Sequence, residues 1–101
     1  MSAAAEWLAS RIDGAPASLS SMMMAALQNV DEATIHDALA EAAADCLKRA
    51  LQDPTDRARA FDLLAADALL THACEAAAEA GDETLRQFTD KWNPDRFATL
   101  L

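Results

Sequence analysis

One dipeptide divides this chain. Asp53-Pro54 interrupts a stretch from Asp31 to Ala80 that otherwise reads as unbroken helix. A proline inside a helix removes a hydrogen bond and clashes with the turn before it. Two long helical segments joined by so short a link must double back on one another. The spacing therefore predicts an antiparallel helical hairpin as the frame of the fold.

The rest of the sequence agrees with helix and offers little to a sheet. The hydrophobic fraction is 52%, and alanine supplies about half of it. Alanine is the best helix former, but each one buries little apolar area. Val30 is the sole valine, Ile12 and Ile35 are the isoleucines, and tyrosine is absent, so strand vocabulary is thin. The expectation is an all-α fold: a small helical bundle of four to five helices built on a long antiparallel helical hairpin. Residues 1–101 are expected to form a single all-helical domain.

Punctuation places the helices. Ser2 caps a first helix reaching Asp13, with Gly14 and Pro16 as its stop. Ser18, Ser20 or Ser21 caps a second. Asn29 or Asp31 caps a third, which runs to about Leu51 with Ile35, Leu39, Ala42, Ala43, Cys46, Leu47, Ala50 and Leu51 on one stripe. Asp53 caps a fourth, with Pro54 in its first position. It runs to Ala80, stops at Gly81, and faces inward with Leu63, Ala66, Leu69, Leu70, Ala73, Cys74 and Ala77. Asp82 caps a short fifth helix carrying Leu85, Phe88 and Trp92. Asn93-Pro94-Asp95 restarts the chain, and Phe97, Leu100 and Leu101 form a final turn or docking tail.

Seventeen acids against eight bases give a net charge of −9. That balance disfavours nucleic acid and anionic membrane surfaces, which would repel it. The opening MSAAAEWLASRID has neither a basic n-region nor an apolar h-region, and no run is apolar enough to span a bilayer. The expected location is cytoplasmic.

Centring the hairpin on Asp53 and Pro54 sets His36 opposite His72 and Glu32 near Glu75. Two imidazoles and two carboxylates at one level are a candidate site for a divalent metal. The same ruler puts Cys46 and Cys74 about 18 Å apart along the axis, beyond the roughly 7 Å that a disulfide spans. Both are expected to be buried free thiols. Asp67, Glu75, Glu79, Asp82 and Glu83 form an acidic stripe without an intervening base, read as a solvated face or as a dock for a basic partner.

LLAADALLTHACEAAAE, Leu63 to Glu79, resembles one helix of the trans-polyprenyl diphosphate synthases. The chemistry of that family needs Asp-rich DDxxD segments to hold magnesium against a diphosphate. This sequence has none, so the resemblance carries over no site residue. No Gly-rich phosphate loop or nucleophile–base set is present either, and no residue set supports catalysis.

Met22, Met23 and Met24 follow one another in a helix, so they cannot share a face. Methionine adapts to irregular surfaces, and Trp and Met enrich interface cores. Trp7, Met22, Met23, Met24, Leu27, Trp92 and Phe97 are therefore candidate interface residues. The expected function is non-enzymatic: protein–protein association as a homo-oligomer, a dimer favoured, or as an accessory partner of a larger protein. The alternative is a metal- or small-ligand-binding bundle using Glu32, His36, His72 and Glu75. No other cofactor is implied.

Overall fold

A computed structural model describes residues 2–53 and 55–100, the side chain of Leu100 excepted. The expected role of Pro54 and the placement of Leu101 fall outside the described residues. Six α-helices follow one another with no strand among the described residues: α1 (Ala3–Ala9), α2 (Ala17–Gln28), α3 (Ile35–Gln52), α4 (Arg57–Ala80), α5 (Asp82–Lys91) and α6 (Pro94–Leu100). Six replaces the expected four to five because the final turn is a helix of its own. The Cα radius of gyration is 13.0 Å, the value a compact chain of this length adopts, about 13 Å.

Short polar side chains start most of the helices. Ser2 accepts a hydrogen bond from the Ala5 amide at 3.1 Å, as its position suggests. Thr34, rather than Asn29 or Asp31, caps α3, accepting from the Asp37 amide. Asp53 does not cap α4. Its carboxylate turns back onto the Thr55 amide and hydroxyl, which together hold its pKa below the ordinary carboxylate value. Asp56 takes the role instead, accepting from the Ala58 amide at 3.0 Å. Pro16 stands where a serine cap was expected for α2, without a side-chain bond. Gly81 separates α4 from α5 at φ +126°, ψ 163°, a conformation open essentially to glycine alone. Asn93 accepts from the Arg96 amide at 2.9 Å and Pro94 fills the first position of α6.

The most extensive helix–helix contact joins α3 to α4. Its lining is small: Ala38, Leu39, Ala42, Ala43, Cys46 and Ala50 from α3, and Ala65, Ala66, Leu69, Ala73, Ala76 and Ala77 from α4. Small side chains let two backbones approach closely, which favours dispersion contacts over volume. The inward face of α4 is rotated from the expected one. Leu63 and Cys74 are exposed and Leu70 is only half-buried, whereas Asp62, Ala65 and Ala76 are inside. α2 lies over both long helices and α1 over α2 and α3, seating Leu8, Met23 and Leu27 in the core. α5 packs on α4 and α6 touches α3.

Candidate functional site

The four candidate metal ligands do not come together. Glu32 is exposed in the loop before α3 and so does not share a helical face with His36. His36 meets Phe88 of α5 edge-on at 5.7 Å. His72 meets Trp7 of α1 edge-on at 6.0 Å, and its Nδ1 lies 3.8 Å from Glu75. Each imidazole is engaged by an aromatic ring from a different element. Among the described residues no three His, Cys, Asp or Glu side chains gather where they could hold a metal. A ruler along two helices gives levels only, and not which way each ring turns.

Two acids of the acidic stripe, Glu75 and Glu79, are met by a base from another element. Arg11, just beyond α1, reaches Glu75 at 2.6 Å and Glu79 at 2.8 Å. It also stacks 4.5 Å over the Trp7 ring, whose Nε1 donates to Glu79 at 3.4 Å. Arg11 holds the Glu79 carboxylate below its ordinary pKa, and Glu79 and Glu75 raise that of Arg11 against its own desolvation. Glu83 pairs with Arg86 one turn on.

Of the candidate interface residues, Met23, Leu27 and Trp92 are buried within the chain. Trp92 donates from Nε1 to Asp37 at 2.9 Å and lies between Arg96, 4.4 Å over its ring, and Phe97 at 5.6 Å. Lys91 adds a second bond to Asp37 at 3.1 Å. Burial acts to raise the Asp37 pKa, but the bonds from Trp92, Lys91 and Thr34 outweigh it and hold the carboxyl below its ordinary value. Trp7, Met22, Met24 and Phe97 are half-buried against the core.

The two cysteines part company. Cys46 is buried and Cys74 exposed, and neither forms a disulfide; the expectation of two buried thiols holds for Cys46 alone. Burial raises the Cys46 pKa, opposed by nearby Arg49, whose Nη2 lies 3.2 Å from the sulfur.

Two features were not anticipated. The first is Asp62, 4% exposed on the inner face of α4. Its oxygens accept from Arg49 of α3 at 3.4 Å and from Arg59 one turn earlier at 2.9 Å. The sequence signal was present, since Arg59 and Asp62 are three residues apart and thus neighbours on the helix.

The second is apolar. Leu51, Phe61, Leu63 and Leu64 are 54%, 45%, 54% and 54% exposed, and all four lie at the end of the molecule where α3 hands over to α4. Leu51, Ala60 and Leu63 line one shallow depression there, whereas Phe61 and Leu64 lie on another side of α4, since residues two apart on a helix point to nearly opposite sides. Leu51 and Leu63 had been assigned to inward stripes. Phe61 and Leu64, three residues apart, share one outer face of α4, and Leu51 and Leu63 share the depression on another.

No known protein family, no curated protein and no solved structure matches this chain significantly. No described helix is long and apolar enough to cross a membrane.

Proposed function

We propose that this protein works by association rather than catalysis, with a second copy of itself as partner and the antiparallel α3–α4 hairpin as the body that carries the contact. The observation supporting this reading is the half-exposed group Leu51, Phe61, Leu63 and Leu64. The methionine helix contributes only at its margin, because Met23 is buried and Met22 and Met24 are half-covered.

Magnitudes set the strength of such a dimer. Covering the exposed half of a large apolar side chain contributes about 1 kcal/mol. Four such side chains on each of two protomers give about 8 kcal/mol before costs. Lost translational and rotational freedom takes back about 4 kcal/mol or more. The outcome is a weak, reversible dimer, about millimolar, rather than an obligate one. Sedimentation equilibrium from high micromolar to millimolar protein tests this: the weight-average mass should climb from one chain toward two. A mass fixed at one chain over the whole range would overturn the reading.

A further inference from the structure

The outer side of α4 carries a second stripe. Arg57, Phe61, Leu64, Ala68, Thr71 and Glu75 follow one another at alternating intervals of four and three residues, the spacing of a coiled-coil seam. They lie opposite the buried residues Asp62, Ala65, Ala66, Leu69 and Ala73. The C-terminal half of this seam is already flanked within the chain, where Trp7 meets His72 and Arg11 grips Glu75. Its N-terminal half is left open, with Phe61 and Leu64 about half exposed.

Resting on the self-association reading above, we propose that α4 of a second copy covers this open half, antiparallel about a two-fold axis. In that register Phe61 of each protomer layers on the partner's Leu64. Each Arg57 then falls beside the partner's Asp67 and Ala68. Arg57 and Asp67 are both exposed, and neither joins an ion pair among the described residues. The stripe is thus self-complementary: a base before the apolar pair and an acid after it, the order a reversed copy requires. Charge makes this register selective. Two chains of net charge −9 repel, and a contact that sets a base against an acid at both ends relieves that repulsion where the helices touch.

The test measures the dimer dissociation constant of the full chain by sedimentation equilibrium, with circular dichroism confirming that each variant is folded. Arg57→Asp and Asp67→Arg should each weaken dimerisation roughly tenfold by placing like charges together at both ends. The doubly reversed chain should recover to within about threefold of wild type, because the pair is restored with its sign inverted. Leu64→Glu, at an exposed position, should leave a folded monomer. If wild type dimerises but the single reversals have no effect, or the double reversal does not recover, this register is overturned while association stands. A wild-type chain monomeric at every concentration overturns both.

Discussion

Asp62 offers the sharpest test of how α4 is held. It is the buried charged residue of the described core, 4% exposed, with Arg59 at 2.9 Å and Arg49 at 3.4 Å. Removing one partner of a fully buried ion pair costs about 3–5 kcal/mol, because a charge is left stranded. Here the arginine side chains are 39% and 34% exposed, so either guanidinium can turn to water once released. That discounts the loss to about 1–2 kcal/mol. The two obvious substitutions then diverge. Asp62→Asn keeps the volume but removes the charge and points amide protons at guanidinium donors, and should cost about 2 kcal/mol. Asp62→Ala strands nothing, matches the neighbouring alanines and gains about 0.5 kcal/mol of helix propensity, for a net cost of about 1 kcal/mol. Urea unfolding followed by helical circular dichroism measures both. For a domain of this size 1 kcal/mol corresponds to about 4–8 °C in Tm, so the variants are separable by melting as well. A double-mutant cycle with Arg59→Ala should return a coupling of about 1 kcal/mol. If Asp62→Asn is as stable as wild type, or is clearly the milder of the two, Asp62 is not organised by the arginines as described.

Gly81→Ala should cost about 2 kcal/mol although nothing lies within 4 Å of the added methyl group, because φ +126° is closed to a β-carbon. Gly14→Ala, equally uncrowded and without positive φ, should change the unfolding midpoint little; equal effects at the two glycines would refute the backbone argument. Asp37 governs an acid transition. Its pKa is lower folded than unfolded, so its bonds to Trp92 and Lys91 are fully present above about pH 4 and are lost as pH falls through the folded value. Asp37→Ala should therefore cost about 1–2 kcal/mol at pH 7 and converge on wild type at low pH. Parallel pH–stability curves would rule this out.

Helix identity was readable because it depends on local rules: alanine content, a serine before the first turn, Gly81 after α4, and the Asn93-Pro94 restart. The orientation of α4 about its own axis was not. Apolar periodicity favours the largest side chains for the interior and would turn Leu63, Leu70 and Cys74 inward. The fold instead places Ala65 and Ala76 there and admits Asp62, which Arg49 of α3 reaches. The same rotation placed Leu63 outside and left Phe61 and Leu64 together beyond the seam. The histidines failed as a site for a related reason. Hairpin geometry fixes how far along a helix a residue sits, but the partners of His36 and His72 come from α5 and α1, whose docking no local pattern announces. Trp92 was read as available surface because its acceptor, Asp37, lies 55 residues away.

An interface of methyl groups has few features of depth or shape, so one turn of it resembles the next. Sliding α4 along α3 by a turn would exchange alanine for alanine at most positions, Leu39, Cys46 and Leu69 excepted. Arg49 and Asp62 are not interchangeable in this way, because displacement by a turn pulls the carboxylate about 5.4 Å from its place. The buried acid therefore acts as a detent on the rail, and Arg49 of α3 sets the notch in which the helices stop.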